Sequence, residues 1–390
     1  MIDVDLARAR TPGCAERVHL NNAGASLMTQ GVLDAQLDHL RLEARIGGYE
    51  AARQTEDRFA AVYESLARLI GAAGEEIALV ENATAGWLLA FHSFRFRPGD
   101  RILVSEAEYA TNFISYLQAR DEDGAEVVVI PSDESGQLDV TALGDAIDDR
   151  ARLISITHVP TNGGLVNPAE EVGAVAAEAG VPFLLDACQS VGQMEVDVES
   201  IGCHFLAATG RKFLRGPRGS GFLYVRRSML DEVTPPMLDL HGAQWSEPGR
   251  FEMLPNARRY ENWEFNHASV LGLGRAVDEA LDWGIATIEE RVVPLAAYLR
   301  AALAGAGFQV YDIGRRLSAI VTTSVPGVDA SEVEGRLFDL GFNVSVTSPP
   351  STLLDAERRH LPDLIRLSPH YFNTEEELDA AVSALTGMRA

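Results

Sequence analysis

The strongest constraint on the fold is a rhythm. Between about residues 75 and 225, short apolar, β-branched runs alternate with stretches of helical periodicity. Repeated β-α units impose this pattern when they build a mostly parallel sheet. The runs EIALVE (76–81), DRILVS (100–105), AEVVVIP (125–131), RLISITHV (152–159), VPFLLDA (181–187), HFLAATG (204–210) and GSGFLYVR (219–226) are the expected strands. Seven strands predict one large open sheet of an α/β protein. Helical stretches at 84–94, 110–120 and 168–180 lie between them. Such sheets bind ligands at the carboxyl ends of their strands, so the residues just past each run are where chemistry is expected.

A long helical pattern over 271–307 leads out of this region, and the segments RLSAIVTTSV, GFNVSVTS and EEELDAAVSALTGM read as two further strands and a final helix. The expected organisation is a large domain over 21–289, a smaller α+β domain from 290 to 390, and an opening segment, 1–20, that packs with the small domain and has little structure of its own.

A formal net charge of -24 argues against nucleic-acid or anionic-membrane partners, which need basic patches. The three cysteines, Cys14, Cys188 and Cys203, are too few and too scattered for a disulfide framework or a zinc site. No basic segment followed by an apolar run opens the chain, and no apolar stretch reaches membrane-spanning length. These features predict a soluble cytoplasmic protein.

Lys212 is the only lysine among 390 residues, against 32 arginines. Arginine replaces lysine wherever solubility or ion pairing is the task, but it stays protonated and does not become the neutral amine that attacks a carbonyl. Asp186 ends an apolar run, an expensive place for a carboxylate without a cationic partner, and Gln189 follows three residues later. The trio suits pyridoxal 5'-phosphate: a lysine condenses with the aldehyde, a buried carboxylate keeps the ring nitrogen protonated, and an amide bonds the phenolic oxygen. Ala83, Thr84 and Ala85, where a helix begins after the first strand, offer backbone N–H groups and a hydroxyl to a phosphate, and Thr209 and Arg211 flank the lysine. Tyr109, beyond the second strand, is placed to stack on a planar cofactor. Thr161 and Asn162 follow the fourth strand as candidate cofactor or substrate contacts. Each feature alone has a plainer reading as a cap, a core residue or a loop.

Together, DACQSVGQMEVDV, ATGRKFLRGPRGSGFLYV, HVPTNGGLVNP and IRLSPHYFNTEEELDAA resemble the class V aminotransferases, a fold type I branch of pyridoxal phosphate enzymes. That branch includes cysteine desulfurases, isopenicillin N epimerase-like proteins and C–S lyases. The resemblance implies that Lys212 carries the cofactor covalently, Asp186 pairs with its ring nitrogen and Gln189 contacts its phenolic oxygen, with Thr84, Thr209 and Arg211 at phosphate-binding positions. Tyr109 stands where many relatives have a stacking histidine. Arg366 falls at the position of the family's clamp on the substrate carboxylate, and Asn22 joins Asn162 as a substrate-binding candidate. Family dimers complete each site with a loop of the other subunit, which here matches 262–269 and makes Asn266 and His267 candidates. Cysteine desulfurases carry a nucleophilic cysteine on a small-domain loop, but FNVSVTSPPSTLLD (342–355) contains none, and Cys188 and Cys203 lie within the core pattern.

The expected activity is therefore a C–S (β) lyase acting on a cysteine conjugate of a small metabolite. An aminotransferase or epimerase of the same family is the alternative. A non-catalytic sensor on this fold is the reading from another class, against which stand the acidic balance and the lack of a spare segment before residue 20.

Overall fold

In the computed structural model, which describes residues 1–389, the alternating pattern becomes seven strands of one sheet. They are β1 (Ile77–Val80), β2 (Arg101–Ser105), β3 (Glu126–Ile130), β4 (Ala151–Thr157), β5 (Phe183–Asp186), β6 (Phe205–Thr209) and β7 (Gly221–Val225), in the order β1-β7-β6-β5-β4-β2-β3. β7 is antiparallel to both neighbours and every other pairing is parallel. Both faces are buried, which is why the strands read as nearly continuous apolar runs. In β2, Ile102 and Val104 join one core and Leu103 the other; in β5, Leu184 faces one and Phe183 and Leu185 the other. Each such side chain contributes about 1.5–3 kcal/mol by leaving water.

The helices that matter for the site are α1 (Gln30–Ile46), α2 (Glu56–Ile70), α3 (Ala83–Phe91), α4 (Ala110–Asp123) and α5 (Ala169–Ala179). The single helical pattern expected over 271–307 divides into α6 (His267–Trp283) and α7 (Ile285–Gly305). The break is Gly284, whose φ of +81° takes the chain out of the helical region. A hairpin of β8 (Ala243–Glu247) and β9 (Arg250–Met253), which the sequence pattern does not signal, projects exposed residues.

Past α7, β10 (Val321–Thr323), β11 (Ser345–Thr347) and β12 (Leu364–Leu367) form an antiparallel sheet in the order β10-β12-β11. α8 (Ala330–Asp339) and α9 (Glu375–Thr386) accompany it. The segment expected as one strand, GFNVSVTS, is split: Phe342–Asn343 pairs in parallel with Val18–His19, and β11 follows. The opening residues have more structure than expected, with a helix over Val4–Ala9 capped by the Asp3 carboxylate, and Arg8 pairs with Glu377 at 2.7 Å. No helix among the described residues is long and apolar enough to cross a membrane.

Candidate active site

The carboxyl ends of β1, β2, β4, β5 and β6 open onto a cleft of about 940 Å³, its open mouth included. β7 starts at the same edge because it runs the other way, so Arg218 and Gly219 reach the rim. Lys212 lies three residues beyond the end of β6, in a turn closed by bonds from Arg215 N to Lys212 O (2.9 Å) and Gly216 N to Gly210 O (2.7 Å). Arg215 takes a left-handed conformation, φ 63°, which costs a non-glycine residue roughly 1–2 kcal/mol. Its buried guanidinium offsets this by donating to Leu27 O (2.9 Å), Thr11 Oγ1 (2.6 Å) and Tyr371 OH (2.5 Å). Gly192 (φ +95°) backs onto the same turn so closely that a Cβ would lie 2.6 Å from Leu214 N. Burial lowers the Lys212 pKa below the ordinary lysine value; Arg211 and Arg366 push the same way, while Cys188 and Asp186 oppose them. The amine is thus easier to hold neutral.

Asp186, at the end of the next strand, is 6% exposed. Asn112 Nδ2 donates to Oδ2 at 2.9 Å and Cys188 N to Oδ1 at 3.0 Å, and no cation pairs with it among the described residues. Burial raises its pKa, partly countered by these two hydrogen bonds and by the charge of Lys212. A buried carboxylate held by neutral donors alone is an unmet demand for a cation in the cleft.

The start of α3 makes the opposite demand. The Ala83 and Thr84 N–H groups find no acceptor among the described residues, whereas the Ala85 N–H, expected to be free, is taken by Asn82 Oδ1 at 2.9 Å. Of the candidate residues, Ala83, Thr84, Tyr109, Thr161, Asp186, Gln189, Thr209, Arg211 and Lys212 line the cleft. Gln189 is buried with Nε2 on Ala23 O at 3.1 Å, and its Oε1 has no partner.

Arg366, at the centre of β12, reaches the cleft wall behind Thr161, donating to its Oγ1 at 2.6 Å and its carbonyl at 3.3 Å. Among the described residues it has no carboxylate partner and its Nε is unpaired, and burial together with Arg211 lowers its pKa to about 10. The second residue near it is Asn21, with Oδ1 at 3.5 Å. The expected Asn22 is instead consumed in the interior, donating to Ser368 O at 2.7 Å and accepting from Ser26 Oγ at 2.6 Å. Asn162 is likewise spent: its Nδ2 bonds Ser348 O and Thr352 Oγ1, and its Oδ1 accepts from the Thr347 hydroxyl. Neither amide is left for a substrate. Asn266 caps α6 through Ser269 N, and His267 packs on Phe59 with ring centroids 5.0 Å apart; neither lines the cleft of its own chain.

Cys188 is the other departure. The sequence pattern places it in the core, yet its side chain lines the cleft beside Lys212, because the chain turns out of β5 after Asp186. Burial pushes its thiol pKa up, so it is held as a thiol. Asn112, Thr157, Trp87 and Arg218 also line the cleft and were not anticipated. The one available signal was for Asn112, which stands three residues after Tyr109 in the first turn of α4.

One molecule meets all these demands: a cationic ring nitrogen for Asp186, a dianion for the α3 N-terminus and Arg211, and an aldehyde for a buried, weakened lysine. Pyridoxal 5'-phosphate has each of these groups. The fold and the cleft define a fold type I pyridoxal phosphate enzyme. The family model described as aminotransferase class-V matches residues 18–381, and the chain belongs to that family. It is 28% identical over 380 residues to a probable cysteine desulfurase of Methanothermobacter thermautotrophicus, covering 95% of this chain and 94% of the relative. Among solved structures, the apo cysteine desulfurase of Thermococcus onnurineus NA1 superposes with a TM-score of 0.92 at 24% identity, covering 100% of this chain and 98% of that one. The cystine C–S lyase C-DES, in complex with cysteine persulfide, superposes with a TM-score of 0.87 at 20% identity, covering 97% and 100%.

Proposed function

We propose that the enzyme cleaves the Cβ–S bond of a cysteine-type substrate, most specifically as a β-lyase on a cysteine conjugate. The observation that carries the reading is the pairing of a lone buried amine, Lys212, with a buried carboxylate that lacks a cation, Asp186, on adjacent strand ends of one cleft. Pyridoxal phosphate, when bound, supplies the electron sink for bonds broken at Cα. Asp186 would hold the proton of the ring nitrogen, Gln189 would contact the phenolic oxygen and Tyr109 would stack on the ring. The N–H groups of Ala83 and Thr84, with Thr209 and Arg211, hold the phosphate. Arg366, buried behind Thr161 with no carboxylate partner among the described residues, takes the substrate carboxylate. Lys212 Nζ, kept by burial below ordinary lysine basicity, takes the Cα proton.

Relatives named cysteine desulfurases support sulfur chemistry at this site. A lyase is favoured over a persulfide relay by the 342–355 segment, which contains no cysteine. Asn162 also fastens it at Ser348 and Thr352. The second reading, a desulfurase, is favoured by the Cys188 thiol on the cleft wall. Incubation with cysteine and with cysteine S-conjugates separates the two: pyruvate, ammonia and thiol are the lyase products, and alanine with protein-bound sulfur are the desulfurase products. Accumulation of the cofactor's amine form without thiol would instead make the enzyme an aminotransferase.

The functional unit in this reading is a homodimer, with Asn266 and His267 lying near the partner's cleft. Trp245 (77% exposed) pairs across the hairpin with Phe251 (57%), and Trp263 (51%) stands beside the 264–269 segment, an apolar surface suited to a second copy. The large domain is taken as 21–289 and the small one as 290 onward, with 1–20 belonging to the latter.

A further inference from the structure

Glu108 immediately precedes Tyr109, yet it is 2% exposed and lies behind the cleft wall. Ser105 Oγ (2.5 Å) and Thr157 N (2.9 Å) donate to its Oε1, and Thr157 Oγ1 donates to its Oε2 at 2.8 Å. The Tyr116 hydroxyl lies 3.4 Å from Oε2 and 2.8 Å from Ser155 Oγ. Thr157 Oγ1 in turn accepts the Tyr109 N–H at 3.2 Å. Thr157 is the register partner of Asp186 and itself lines the cleft.

A second link runs through α4. Asn112, which donates to Asp186, and Tyr116, which reaches Glu108, are four residues apart and so share one helix face. The titratable groups facing Glu108 are Tyr116 from α4 and Asp186 from β5, and neither is a cation. Burial raises its pKa to about 7, with the charge of Asp186 adding to the effect. Packing alone would be better served by an apolar side chain, since these hydrogen bonds only partly offset the cost of burying a carboxyl.

We propose that Glu108 is a positioning residue, which through Thr157 fixes the main chain of Tyr109 and the end of β4 against Asp186, so that ring and carboxylate hold the cofactor in one orientation. The proposal rests on the roles given above to Tyr109 and Asp186. It is tested with the holoenzyme and two variants, Glu108→Gln and Thr157→Val. Gln places a donor where Glu places an acceptor, and Val keeps the shape of Thr157 while deleting the relay to Tyr109.

The readouts are the visible circular dichroism of the bound cofactor, its dissociation constant, and kcat and KM with substrate. Both variants are expected to lose much of the cofactor's dichroism and to bind it roughly tenfold more weakly, as one lost positioned hydrogen bond predicts. kcat is expected to fall by a similar factor, with KM within about threefold of wild type. Variants with wild-type dichroism, cofactor affinity and kcat, differing only in melting temperature, would overturn the proposal. Should Glu108→Gln not fold, Thr157→Val decides by the same criteria. A wild-type protein that takes up no cofactor sinks the reading of the site itself, whereas unaltered variants of a cofactor-binding protein sink only the role of Glu108.

Discussion

Arg366 shows how one side chain is kept ready for a ligand. It is buried, lacks a carboxylate partner among the described residues and holds Thr161 with one edge of its guanidinium. Lysine keeps the charge but loses the two-pronged geometry, so Arg366→Lys is expected to raise KM by roughly tenfold to a hundredfold with a smaller change in kcat, read from steady-state kinetics. Glu108 makes a prediction about pH. Its folded pKa, about 7, lies above the unfolded value, so the folded state binds the extra proton. Its contribution is complete below about pH 4.3 and is lost as pH rises through 7, a swing of roughly 3 kcal/mol. The buried His19, His158 and His370, whose pKa values burial lowers, gain stability over the same range, so the Glu108 component is read as a difference: in chemical denaturation of the cofactor-free proteins, wild type should lose stability relative to Glu108→Gln as pH rises through that window. Lys212 was legible because its rarity is visible in the chain itself. Glu108, Asn112 and Cys188 were not, since their roles depend on which way a side chain leaves a strand end, and a string of letters does not record that.

Among elements, the seven strands were legible because burial on both faces writes itself as apolar runs of strand length. The division of α6 from α7 was missed: helical periodicity continues across Gly284, and only its positive φ interrupts the backbone. The hairpin of β8 and β9 was missed because it is exposed and carries no apolar alternation against a core. At the turn holding Lys212, Gly192→Ala brings a Cβ to 2.6 Å from Leu214 N at a φ of +95°. This is expected to destabilise the protein by about 2 kcal/mol or more in denaturant unfolding and to weaken cofactor retention, because the displaced peptide belongs to the lysine turn.

For the whole molecule, two sheets meet behind the cleft wall, where Arg366 from β12 reaches Thr161 beyond β4. The sequence shows that both sheets exist; their contact is a matter of three-dimensional packing and had to be seen. The exposed Trp245–Phe251 pair carries the proposed self-association. Sedimentation should find a dimer, and Trp245→Asp with Phe251→Asp should yield monomers with reduced activity, because the candidates Asn266 and His267 would leave the neighbouring cleft.

The most direct trial of the chemistry exploits the chain's single lysine. Borohydride reduction of the cofactor-loaded protein, followed by peptide mass mapping, should place one phosphopyridoxyl group on the peptide containing Lys212. A reduced protein carrying no added mass, or carrying it only on the terminal amine, would contradict the account.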